Sequence, residues 1–181
     1  MTAHKQLGLS MIEVLVTIVI LAFGLLGLAG LQSRLQLSEL ESYQRAQGLI
    51  LLNDMANKIA VNRNSAASYV TGTNATGSGV TCPTSIATRK DLDMQDWCNA
   101  LQGASETSGA NKVGAFIGGR GCVENLGNGG YMVTVAWQGM GAITAPPASV
   151  ACGQNAYNNT TTCVNDQCRR VLTTIVRIAT L

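Results

Sequence analysis

The chain has a single histidine, His4, and it lies within the first eight residues. A serine nucleophile needs an imidazole or equivalent base beside it, so the rest of the chain has no histidine to activate one. Charged residues make up only 12% of the sequence, the net charge is +2, and no block of basic residues stands out. That speaks against a phosphate-tracking, nucleic-acid-binding surface. No proline interrupts residues 14–62, which leaves a long helix open to the chain. No cysteine precedes Cys82, and no Cys-x-x-Cys occurs. A zinc site would have to be all-cysteine or borrow carboxylates at irregular spacing, so no metal or other cofactor is expected. There is no internal repeat, and no catalytic constellation converges.

What is present concentrates at the N-terminus. A short polar leader, Met1 to Gly8, carries His4 and Lys5; Leu9-Ser10-Met11-Ile12-Glu13 follows, then an apolar run from Val14 to Leu31. Thr17 is the only polar side chain inside the run. At about 1.5 Å per residue, roughly eighteen to twenty residues span the ~30 Å of a bilayer core. A charged side chain costs on the order of 2.5–3.5 kcal/mol at the bilayer centre and less near the ends. Glu13 at the mouth of such a helix therefore suggests a partner for its charge. The run is longer than the hydrophobic region of an ordinary secretory signal. No cysteine follows it, as a lipoprotein signal would require, and a plain anchor explains its length but neither the leader nor Glu13.

Lys5 and the amino terminus precede the run, while Arg34, Glu39 and Glu41 follow it. The positive-inside rule then places the leader in the cytosol and exports the rest. All six cysteines, Cys82, Cys98, Cys122, Cys152, Cys163 and Cys168, lie on the exported side, where an even count reads as disulfides. Spacing does not choose among the possible connectivities. Cys82 with Cys98 and Cys163 with Cys168 are candidates by loop length, leaving Cys122 with Cys152.

Beyond Leu31 the helix is expected to continue in amphipathic form to about Asn62–Asn64. Leu31, Leu35, Ile50, Leu52, Met55, Ala56 and Ile59 recur at helical spacing, and Gln44 is among the polar positions. Gly48 is a weak point and a candidate bend. Residues 65–89 read as loop, rich in Ser, Thr, Gly and Asn. Asp91 to Leu101 reads as a short helix with Leu92, Trp97 or Cys98, and Leu101 inward. Asp91 would cap it, with Asp93 and Asp96 solvated rather than gathered around a cation. Val113 to Val123 is a plausible strand. Gly127-Asn128-Gly129-Gly130 supplies a hairpin turn, and Tyr131, Val133, Val135 and Trp137 alternate with Met132, Thr134, Ala136 and Gln138 as the clearest strand. Arg170 to Thr180 is β-branched and reads as a last strand, with Leu172, Val176 and Ile178 toward the helix.

Gly8-Leu9-Ser10-Met11-Ile12-Glu13 followed by an apolar helix resembles the class III signal of type IV pilins and type II secretion pseudopilins. The resemblance implies cleavage between Gly8 and Leu9 by prepilin peptidase, N-methylation of Leu9, and subunit assembly through Glu13 of one chain and the freed amine of another. Leu9 stands where Phe or Met is commoner, and Gly30 lies near where major pilins carry a proline. Ile20 to Gln32, Asp91-Leu92 with Trp97 and Leu101, Gly119-Arg120-Gly121, and Tyr131 to Trp137 are similar to the PilV-type minor pilins. The implied fold is α+β: a long helix on a small antiparallel sheet with long disulfide-bearing loops. The segments would be a leader (1–8), a membrane and assembly helix (9–31), its amphipathic continuation (32–64) and an exported domain (65–181). The implied role is a non-enzymatic subunit that primes or modifies a type IV pilus. Its partners would be prepilin peptidase, other minor and major pilins, and inner-membrane lipid before assembly, but no nucleic acid. A type II secretion pseudopilin and a single-pass anchored periplasmic binding domain are the alternatives.

Overall fold

The computed structural model describes residues 10–104, 106–109, 111–114, 117–158 and 161–179. The chain divides after Leu40 into two compact units, Met1–Leu40 and Glu41–Leu181. Helix α1, Met11–Val61, supplies the first unit and enters the second. It passes without a break through Gly48, which is buried. Gly48 lies in the stretch that tertiary contacts fix, and these offset its poor helix propensity.

The second unit is α+β. A 3-10 helix, Arg63–Tyr69, follows α1; then come β1 (Thr76–Gly77), α2 (Arg89–Leu101), β2 (Thr107–Ser108), β3 (Asn111–Lys112), β4 (Arg120–Gly127), β5 (Gly130–Gln138) and β6 (Arg169–Arg177). The main sheet has the order β1-β4-β5-β6, all antiparallel, and β2 and β3 form a separate small ribbon. Asn128 and Gly129 both have positive φ, 49° and 70°, which lets a tight turn follow the right-handed twist of the β4–β5 hairpin. The β5–β6 register runs unbroken from Gly130↔Arg177 to Gln138↔Arg169.

Leu52, Met55 and Ile59 form the buried stripe of α1 in the second unit, at spacings of three and four. They meet Tyr69, Met94, Trp97, Leu101, Val123, Tyr131, Val133, Val135 and Trp137 in one core, with Leu172, Val176 and Ile178 partly buried against it. The β5 and β6 residues expected inward are inward. On the sheet's other face, Thr134 and Ala136 are also fully buried. Gly153 of the loop after β5 comes so close that a Cβ there would stand 3.2 Å from Ala136 Cβ.

Several local expectations differ. The strand expected over 113–123 starts at Arg120 and runs to Gly127. Gly121 can sit in it because it has no side chain: a Cβ would fall 2.3 Å from the Trp97 ring. Residues 65–89 are not all loop, since they hold most of the 3-10 helix and β1. Helix α2 begins two residues early: Thr88 is its N-cap, and Asp91 closes a capping box from the third helical position. Leu92 is exposed, whereas Met94 and Asp93 are buried. Leu31, Leu35 and Ile50 of α1 are exposed, and Gln44 is buried in their stead.

Candidate functional site

Ser10 starts α1. Its carbonyl accepts from the Glu13 and Val14 N–H groups at 2.9 and 3.3 Å, and its Oγ accepts from the Ile12 N–H at 3.3 Å. These bonds satisfy donors that a helix start leaves orphaned. Glu13 lies in that first turn, where the helix dipole favours a negative charge. The Thr17 hydroxyl donates to the Val14 carbonyl at 2.8 Å, so the one hydroxyl of the apolar run is bonded within its own helix.

Among the described residues of this unit, no apolar side chain is buried. Ile12, Leu15, Ile20, Leu21, Phe23, Leu25, Leu26 and Leu31 are each more than half exposed, and an apolar window of α1 long enough to cross a membrane is 0% buried. A Cβ added at Gly24, Gly27 or Gly30 would meet nothing within 4 Å. An apolar surface this continuous marks a membrane or protein contact. Gly8 and Leu9, the expected cleavage and methylation residues, lie outside the described residues.

The second unit is braced covalently and ionically. Disulfides join Cys82–Cys98, Cys122–Cys152 and Cys163–Cys168, the candidate pairs among connectivities that spacing left open. Cys122–Cys152 ties β4 to the loop that covers the sheet. Arg169, the first residue of β6 and 1% exposed, donates to the Val150 and Cys152 carbonyls of that loop at 2.6 and 3.0 Å. Its Nε lies 3.2 Å from Asp166 Oδ2, a charge contact rather than an aligned hydrogen bond. Asp166 Oδ1 in turn accepts from the Asn155 N–H at 2.7 Å. The Tyr157 hydroxyl donates to the Gly118 carbonyl at 2.8 Å, and burial pushes its pKa well up.

Near the end of α1, the Tyr69 hydroxyl donates to Asp93 Oδ2 at 2.6 Å and accepts from Asn62 Nδ2 at 2.9 Å. Arg89 meets the same carboxylate at 3.1 Å. Burial, then the bond to Asp93, raises the Tyr69 pKa to about 12. Asp93 is thus a paired core carboxylate, which corrects its expected solvation; it is not gathered with Asp91 and Asp96 into a site. At the start of the unit, Glu41 accepts from Arg170 at 3.0 Å and from the Met140 N–H at 3.1 Å. No periodicity could have announced Glu41–Arg170, Tyr69–Asp93 or Asp166–Arg169. Asp166 and Arg169 are close in sequence, but nothing there says that they are buried.

Residues 3–29 match the family model for the prokaryotic N-terminal methylation motif. No curated protein and no solved structure matches the chain significantly. The motif implies processing by prepilin peptidase and assembly with other pilins, and with the uncovered apolar helix it fits an inner-membrane-anchored pilin. The match is confined to residues 3–29, and there it indicates a type IV pilin-like prepilin, of the pilus or the pseudopilin kind.

Proposed function

We propose that this protein is a PilV-type minor pilin, a non-enzymatic subunit that primes or modifies a type IV pilus. Residues 1–8 are a leader removed between Gly8 and Leu9, and Leu9 is then N-methylated. Residues 9–31 anchor the chain in the inner membrane with the leader cytosolic, and 32–64 continue the helix into a periplasmic domain, 65–181. During assembly the helix leaves lipid for the fibre. That exchange is nearly neutral in apolar burial, so packing and polar pairing decide which subunits fit. Glu13 supplies the pairing: in a low-dielectric fibre core it neutralises the amine that cleavage exposes on a neighbouring Leu9. The loop-rich domain with its three disulfides favours a pilus over a type II secretion pseudopilin.

The observation that carries this reading is the methylation motif continued by an apolar helical window of membrane length that buries nothing of itself. The test is expression of the full chain in cells with and without prepilin peptidase. With the enzyme, the mature N-terminal peptide should begin at Leu9 and carry one methyl group; without it, the leader should remain. Identical products in both strains would refute the proposal. Glu13→Ala should be inserted and processed yet be depleted from sheared pili, and normal incorporation would remove Glu13 from the assembly role.

A further inference from the structure

The two edges of the main sheet are finished differently. Along β4, the outer edge is closed first by β1 and then by the chain at Thr71. Thr71 Oγ1 accepts from the Val123 N–H at 3.0 Å, and the Thr71 and Gly72 N–H groups donate to the Val123 carbonyl at 2.9 and 3.0 Å. Along β6, nothing comparable occurs among the described residues. Ile178 N–H donates to the Gly129 carbonyl and Gly139 N–H to the Cys168 carbonyl, each at 2.8 Å. Those bonds fix the even-numbered residues of β6 as the ones bonded to β5. In an antiparallel ladder the alternate residues then turn both N–H and C=O away from the sheet. Here these are Val171, Thr173, Ile175 and Arg177. Ile143 N–H takes the Gln167 carbonyl at 2.9 Å, and beyond it no backbone bond reaches this side of β6 among the described residues.

Open edges are normally blunted by shortness, proline, lysine, a bulge or a covering segment. Strand β6 is nine residues long, reads RRVLTTIVR, and keeps an unbroken register with β5. Thr173 and Arg177 are exposed, and Ile175 is 52% exposed. A row of outward amides and carbonyls at strand spacing is matched by an extended polypeptide, which adds as a further strand. The charges narrow the choice. Arg169 and Arg170 already face Asp166 and Glu41, whereas Arg177 is exposed, and β6 has no carboxylate, so the β6 of a second copy would bring Arg177 no counter-charge.

We propose that β6 is a docking edge for an extended segment of a different polypeptide, one that places a β-branched or aromatic residue beside Ile175 and a carboxylate beside Arg177. The edge lies wholly in Glu41–Leu181, so the proposal stands whether or not the fibre reading holds.

The test uses the full chain in detergent micelles. The probe is a capped nine-residue peptide of alternating Val and Thr with a glutamate set to face Arg177. Amide-resolved hydrogen exchange should show Val171, Thr173, Ile175 and Arg177 exchanging fast alone and protected with the peptide, while Leu172, Thr174 and Val176 are protected throughout. N-methylation of alternate peptide amides should abolish binding in one phase and spare it in the other. Replacing the glutamate by lysine should weaken binding about two- to fivefold, and Arg177→Glu should invert that preference. Thr173→Pro removes an outward N–H without a ladder bond, so this variant should fold and fail to bind; if it does not fold, the N-methylated peptides decide. No protection at saturating peptide, or equal binding by all peptides, would overturn the proposal. So would protection of the same amides in the protein alone with the mass of a dimer, which would make the occupant a second copy.

Discussion

The two units of this chain solve the burial problem in opposite ways. Glu41–Leu181 covers its own apolar surface: Met55, Ile59, Trp97, Leu101, Val133 and Val135 are all fully buried. Its buried charges are paired, as Asp93 with Tyr69 and Arg89 and as Asp166 with Arg169. Residues 11–40 are helical and entirely exposed. Helix propensity and the Ser10 start hold the backbone there, but no core does. The apolar run Val14 to Leu31 therefore suits a different solvent, lipid or the flanks of other helices, whereas the second unit suits water. Substitutions should divide along the same line, those in the second unit read as stability and those in the first as insertion or assembly.

The largest expected effect lies in the second unit. Replacing Cys122 and Cys152 by serine opens a loop of 30-residue separation, for which the chain-entropy relation gives about 3–4 kcal/mol. Denaturant unfolding of the full chain in micelles should show that loss, with membrane insertion unchanged. A loss of insertion would break the division between the units.

Gly121→Ala comes next. Its Cβ would stand 2.3 Å from the Trp97 ring, and overpacking of this kind costs about 1–3 kcal/mol. The change should also shift Trp97 emission, because the ring must move from its place beneath the sheet.

Tyr69→Phe should cost about 1–3 kcal/mol, since Asp93 loses a buried donor. The variant also carries a pH signature. The folded pKa of Tyr69, about 12, exceeds the ordinary value of 10.0. Below pH 10 the phenol is neutral in both folded and unfolded chains and its stabilisation is complete. From there to about pH 12 the unfolded chain ionises first, so stability falls. Alkaline unfolding should flatten over that window in Tyr69→Phe, and an unchanged slope would remove Tyr69 as its source.

The smallest effect is expected where the chain is bare. Gly27→Ala meets no atom within 4 Å, so the processed monomer should lose no stability and its helix should be slightly favoured. Comparing monomer stability with yield in sheared fibres asks whether Gly24, Gly27 and Gly30 form a packing face. Normal stability with reduced fibre yield would say that they do.

The legibility of the sequence follows the range of the forces. The apolar helix, the lone Glu13, the β4–β5 turn at Asn128-Gly129 and the alternation of Tyr131 to Trp137 are local patterns, and local patterns can be read. The inward face of β6 was legible through the same period of two. Asp93 and Leu92 exchanged places relative to expectation because helix α2 starts at Arg89 and a partner, Tyr69, waits across the core. Arg120 to Gly127 rather than Val113 to Val123 became the strand because pairing with β5, not composition, sets its ends.

The sequence by itself determined the membrane-length helix with its carboxylate, the oxidised cysteines and the α+β class, because each is written in spacing or composition. Tertiary structure alone decided which polar groups went inside, that Glu41 meets Arg170 at 129 residues' separation, and that one sheet edge is closed while no described strand closes β6. Those outcomes depend on which segments meet in space. Burial makes a partner obligatory for a polar group, and only the folded chain says where that partner is.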